Sequence, residues 1–105
     1  MIKVTLYHNN NKDIYRFSVS NHGEPIVCAG VSALVITCVN FIQAHFNHEI
    51  DLQMKDMQFI DFSVNELQQN KITHDTSLII NNMAYGLRLI AETYSDDIKI
   101  YEKFS

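Results

Sequence analysis

"SNHGEPIVCAGVSAL", Ser20 to Leu34, is where the chain changes its period. Upstream of it, apolar residues recur every second position, the mark of a half-buried strand. Downstream, a long apolar run follows the 3.6-residue period of a helix. Pro25 suits the first helical position, where its missing N–H costs nothing, and this makes Glu24 the N-cap. The helix so predicted runs from Pro25 to about Asn47. Its polar stripe is narrow: Ser32, Asn40, Gln43 and Asn47, with Cys28 at the upper end. A helix this apolar is buried on more than one side, against a sheet and against another helix or a second subunit.

Working outward, Ile2, Val4 and Leu6 alternate with polar neighbours to give a first strand, and "HNNNKD", His8 to Asp13, is a turn signal. "IYRFSVS" follows as a second strand with Tyr15, Phe17 and Val19 on one face, completing a hairpin. Beyond the helix, "EIDLQM" and "MQFIDFSV" read as two strands joined through Lys55 and Asp56. Asn65 to His74 reads as a polar connection. Asp75 or Thr73 then caps a second helix, from about Thr76 to Tyr94, whose buried stripe is Ile79, Met83, Leu87, Ile90 and Tyr94. Gly86 inside it costs about 1 kcal/mol against Ala and marks a close packing contact. "DIKIYEKF" closes the chain as a fifth strand, with Ile98, Ile100 and Glu102 on one face. The order ββαββαβ predicts an α+β two-layer sandwich over residues 1–105, a single domain with two helices on a mixed or antiparallel sheet.

Composition narrows the function. The chain has 105 residues, 47% of them hydrophobic, and a formal charge of −4. That is enough apolar residue to build a core without metal or disulfide. The eight Lys and Arg stand singly, with no basic run to follow a phosphate backbone, so no direct nucleic-acid partner is expected. An acidic surface favours a basic partner instead. Ile26 to Phe46 has the length of a membrane span, but Ser32, Thr37, Asn40, Gln43 and His45 interrupt it, and no membrane association is expected. "MIKVTLYHNN" alternates and does not read as a signal peptide. Two cysteines without an export signal read as reduced thiols in the cytoplasm.

The chemistry concentrates at Cys28. A helix N-terminus stabilises a thiolate through its unpaired N–H groups and its dipole. His22, in the turn just before the helix, is the candidate base, and nearby backbone N–H groups are candidate oxyanion donors. Ser32 follows Cys28 by one helical turn, on the same face. The alternative is an ordinary packed thiol beside small residues, with His22 a solvated turn residue. Cys38, among Ile36, Val39 and Ile42, reads as core. His45 and His48 lack a carboxylate or thiol at ligand spacing, so no metal site and no cofactor are expected. His8 and His74 read as turn and pre-helix residues, and Asp51, Asp56 and Asp61 as a solvated face.

"NHGEPIVCAGVSAL" resembles the signature of the ribosomal-processing cysteine proteases, the Prp family. Ile26, Val27, Cys28, Ala29, Gly30, Ser32 and Ala33 match its helix-opening element, and His22 matches the histidine of its Gly-His-Ala element. The element order and the chain length agree as well. The resemblance implies a homodimeric cysteine endopeptidase that removes the N-terminal extension of a large-subunit ribosomal protein, the twenty-seventh of the L series. It implies Cys28 as nucleophile, His22 as base and then acid, and Ser32 as a substrate-positioning residue. Two features depart from the family pattern. Only Gly23 to Val27 separate His22 from Cys28, where the family has a longer loop, and Pro25 stands in place of an Asp. The same departures suit an alternative, a non-catalytic dimeric ribosome-associated binding module on the same fold.

Overall fold

The N-terminal alternation becomes β1 (Ile2–His8), paired antiparallel with β2 (Ile14–Ser20). The structure, a computed structural model, describes residues 1–55, 59–71 and 73–104. After β2 come helix α1 (Pro25–His45), β3 (Ile50–Lys55), β4 (Phe59–Val64), the single turn α2 (Asn65–Gln68), α3 (His74–Thr93) and β5 (Ile98–Phe104). The five strands form one sheet in the order β3-β4-β2-β1-β5. Only β1 and β5 run parallel, because the chain crosses through α3 before it reaches the sheet edge, so the sheet is mixed. The ββαββαβ order is as predicted, with α2 added.

One sheet face carries the core. Val4, Leu6, Phe17, Phe62 and Val64 are fully buried there beneath the Val27, Val31, Val35, Val39 and Ile42 stripe of α1 and the Ile80, Met83 and Leu87 stripe of α3. The Phe17 and Phe62 rings lie 5.2 Å apart, and burying each contributes about 2–3 kcal/mol. The other face is open to solvent. α1 is long and apolar enough to cross a membrane, yet its valine stripe lies on the sheet. The two helices touch where Gly86 faces Leu34: a Cβ at 86 would stand 2.9 Å from Leu34 Cδ1, the close contact its position implied.

Four sequence readings change. In α3, Met83 and Leu87 are buried as expected, but Ile80 and Ala84 complete the buried stripe while Ile79 and Ile90 are partly buried and Tyr94 is 43% exposed. Tyr7 faces Arg16 but His8 faces Ile14, so Tyr15 is the extra residue of a β-bulge. Ile14 takes the fully buried place, while Tyr15 stays half-buried with its ring 6.3 Å from that of Tyr7. His8 is no turn residue: it ends β1, 7% exposed, stacked 4.3 Å from the Phe104 ring. Its Nδ1 meets the Lys12 carbonyl at 3.0 Å and its Nε2 meets Glu102 Oε1 at 2.9 Å, while Arg88 donates to the same oxygen at 2.7 Å. Finally, the polar connection after β4 contains α2, which buries Leu67 completely. Asp56, in the expected turn, and Met57, in the expected strand, lie outside the described residues.

Candidate active site

α1 starts where the sequence puts its start. Glu24 is the N-cap, its carboxylate accepting from Ile26 N at 3.0 Å, and Pro25 opens the first turn. The chain arrives there through Asn21, whose φ of 71° turns it out of β2, a conformation Asn tolerates well. Gly23 then passes against the end of the sheet: a Cβ on it would stand 3.0 Å from the Asp97 carbonyl oxygen and 3.3 Å from Ile2 Cδ1. Asp97 O is itself fixed by the Ile2 N–H at 2.8 Å.

This wedge positions the thiol. Gly23 N–H donates to Cys28 Sγ at 3.2 Å, and the Cys28 thiol lies 3.6 Å from the Gly23 carbonyl, to which it can donate. Cys28 is half-buried at the mouth of a 21-residue helix. Its own N–H is taken by the Glu24 carbonyl at 2.9 Å, so the expected oxyanion donors reduce to two: Gly23 N–H and Val27 N–H, the latter without an acceptor among the described residues. Sequence reasoning missed Gly23, although a glycine directly before an N-cap, five residues from a cysteine, was there to be read.

The other site residues are placed less tightly. His22 is exposed and makes no hydrogen bond among the described residues, so Sγ is held by the Gly23 backbone and not by the imidazole. Ser32 is half-buried one turn beyond Cys28, and no hydrogen bond joins the two. Cys38 is core, and burial pushes its thiol up to about 12. His45 lies against Phe41 with ring centroids 4.4 Å apart, while His48 Nδ1 meets Glu66 Oε2 at 3.0 Å and its Nε2 meets Thr76 Oγ1 at 2.7 Å. The i, i+3 pair is thus split between unrelated contacts. Asp61 takes a bidentate Arg16, which raises the guanidinium pKa through that hydrogen bond, so Asp61 is a paired residue of the open face. Thr73 stands at the N-cap of α3 without a side-chain cap bond, and its buried hydroxyl has no partner among the described residues.

A half-buried thiol held by the Gly23 backbone at a helix mouth, with an exposed histidine six positions before it, has the elements that nucleophilic cysteine chemistry needs. The family model of the cysteine protease Prp matches residues 1–99 of this chain. The chain belongs to the Prp family of cysteine proteases. Among its relatives, the ribosomal processing cysteine protease Prp of Bacillus subtilis (strain 168) is 28% identical over 108 residues, which span 95% of this chain and 96% of that protein. The essential ribosomal processing protease Prp of S. aureus, solved with a covalently linked product peptide, superposes with a TM-score of 0.85 at 25% identity, covering 98% of this chain and 100% of that one. The same S. aureus Prp solved with a substrate peptide gives a TM-score of 0.84 at 24% identity over the same shares. As a Prp family member the chain is a cysteine-type peptidase, and its mixed five-stranded sheet with two long helices is the Prp fold.

Proposed function

We propose that this peptidase removes the N-terminal extension of a large-subunit ribosomal protein, the twenty-seventh of the L series, with Cys28 as nucleophile, His22 as base and acid, and Ser32 positioning substrate. The observation that carries the assignment of Cys28 is its sulfur, half-buried at the start of α1 and held by the Gly23 N–H at 3.2 Å. The B. subtilis and S. aureus relatives, both ribosomal processing proteases, support the substrate class. So does charge: the chain carries a net −4 and Glu24 caps the helix that holds Cys28, which suits a basic ribosomal substrate.

In the proposed cycle His22 takes the Cys28 thiol proton, and the thiolate adds to the scissile carbonyl carbon. The oxygen of the tetrahedral intermediate accepts a hydrogen bond from the Val27 N–H, and the Gly23 N–H exchanges Sγ for this oxygen as its acceptor when Sγ bonds to carbon. His22 then gives its proton to the leaving amine as the C–N bond breaks, leaving a thioester on Cys28. Water, deprotonated by the same imidazole, hydrolyses that thioester and restores the thiol. Bringing His22 to Sγ asks for a swing of Asn21 and His22, with Gly23 held in place, and Asn21, already left-handed, is the natural pivot.

The enzyme works in this proposal as a cytoplasmic homodimer. Ile26 is 71% exposed, and Phe41, Leu78, Tyr85 and Leu89 leave further apolar surface on the helix layer. A groove of about 460 Å³ opens there between α1 and α3, lined by Leu34, Phe41, Ile79 and Met83. The test is incubation with the extended ribosomal protein. A single trimmed product, lost in Cys28→Ala and in His22→Ala, is expected. Intact substrate after incubation with folded wild-type enzyme would overturn the proposal, and sedimentation showing a monomer at micromolar concentration would overturn its dimer.

A further inference from the structure

The strand registers define a grid on the open sheet face. Reading across β3, β4, β2, β1 and β5, one row is Lys55, Phe59, Ser20, Lys3 and Lys99. The next is Gln53, Asp61, Ser18, Thr5 and Tyr101, and the third is Asp51, Ser63, Arg16, Tyr7 and Lys103. Five of the eight Lys and Arg therefore stand on one face. Only two of the described carboxylates, Asp51 and Asp61, fall in these rows, and Asp61 is paired with Arg16. An acidic protein has thus gathered its cations onto one surface, although in sequence they stand singly.

The gathering is sharpest at the β1–β5 side. Lys3, Lys99 and Lys103 have no carboxylate among their grid neighbours on β1 and β5, and Lys3 and Lys99 are direct cross-strand partners. Like charges in that relation destabilise a sheet. Lysines on an edge strand guard against edge-to-edge pairing, which covers β5 but not Lys3 on the interior strand β1. The cations are interleaved with aromatic rings: Lys103 Nζ stands 5.5 Å from the Tyr7 ring centroid, Arg16 stands 4.5 Å over the same ring, and Lys99 Nζ is 5.9 Å from Tyr101, itself 42% exposed. Thr5, Ser18 and Ser20 supply hydroxyls between them.

We infer that the β2–β1–β5 side of this open face binds single-stranded RNA. Phosphates take the lysines, a base stacks on the exposed Tyr101 ring, and the hydroxyls meet ribose 2′-OH groups, which is what selects RNA over DNA. From Lys99 to Lys103 the patch runs about 13 Å along the strand, and about 10 Å from β5 to β2, room for two or three bases as on other open-sheet RNA binders. The inference is independent of the peptidase assignment, because none of these residues belongs to the Cys28 site.

The test is fluorescence anisotropy of a labelled twelve-nucleotide oligouridylate with the full chain, at 50 and 150 mM salt. Binding is expected, with a log–log salt slope of about −2 for three phosphate contacts. Lys3→Gln/Lys99→Gln/Lys103→Gln should weaken it at least tenfold and flatten the slope, and Tyr101→Ala should weaken it about tenfold without changing the slope. Both variants should keep the wild-type circular dichroism and cleave a peptide substrate at the wild-type rate. Failure to bind at 50 mM salt, or equal binding by the folded triple variant, would overturn the inference. Tighter binding of oligothymidylate would overturn the choice of RNA, and equal competition by polyglutamate would show an acidic-protein face instead.

Discussion

Replacing Gly23 with alanine should disable the thiol without unfolding the protein. The backbone at Gly23 is not left-handed, so alanine meets no conformational penalty there, and the effect is steric. Its Cβ would stand 3.0 Å from Asp97 O, a backbone atom already fixed by Ile2 N–H at 2.8 Å. The second neighbour, Ile2 Cδ1 at 3.3 Å, is the end of a side chain and can move. The segment must therefore retreat from Asp97 by a few tenths of an ångström, and its N–H leaves Cys28 Sγ, now at 3.2 Å. A hydrogen bond to a charged group is worth about 1.5–3 kcal/mol, and the low end applies to a half-exposed sulfur. At about 1.4 kcal/mol per decade, the loss lowers the rate of reaction through the thiolate about tenfold.

The assay is iodoacetamide alkylation at pH 8, followed by mass spectrometry of the two cysteine peptides. Cys38 is the internal reference: with its thiol pushed up to about 12 by burial, only about one in ten thousand is ionised at that pH, and it should stay silent until the fold opens. The expected result is a tenfold slower Cys28 in Gly23→Ala, with Cys38 still unlabelled and the melting temperature within a few degrees of wild type. Alkylation of Cys28 at the wild-type rate in the folded variant would refute the argument that the Gly23 N–H holds the sulfur. Simultaneous labelling of Cys38 would show a damaged fold and refute the claim that the effect is local.

Two further substitutions probe the packing and the acid limb. Gly86→Ala adds about 1 kcal/mol of helix propensity but sets a methyl 2.9 Å from Leu34 Cδ1, so it should be nearly neutral alone and stabilising by about 1 kcal/mol in a Leu34→Ala background; additive urea midpoints for the double mutant would contradict the contact. Glu102 sits lower than its ordinary 4.5: burial pushes it up, but the hydrogen bonds from Arg88 and His8 outweigh that and pull it down. A depressed carboxylate stabilises the fold above its ordinary value and loses that contribution as pH falls through the folded one, so the loss belongs below about pH 4.5. Glu102→Gln should therefore flatten the fall of melting temperature between pH 5 and 3, whereas an unchanged slope would remove Glu102 from the acid response.

What the sequence makes legible here is what local physics decides. The start of α1 follows from Glu24 and Pro25, because capping is settled within one turn, and the sheet strands follow from alternation. What it hides depends on register or on distant partners. The bulge at Tyr15 is invisible because alternation alone favours Tyr15, Phe17 and Val19, and only pairing with β1 moves Ile14 into the core. His8 looks like a turn residue because its acceptor, Glu102, lies 94 positions away. Lys3 and Lys99 look scattered for the same reason, since a parallel pairing between the first and last strands puts them side by side. The candidate site divides along this line too. Cys28 was legible, being placed by its own helix, whereas the wedge that holds its sulfur needed Gly23 to meet Asp97 and Ile2 at the two ends of the chain. A loop of five residues between His22 and Cys28 is thus tethered at Gly23 as well as at Glu24, and only Asn21 and His22 are left to move. That confines the proposed catalytic swing to one pivot, so Asn21→Gly should preserve cleavage while Asn21→Val, which disfavours positive φ, should slow it at least tenfold.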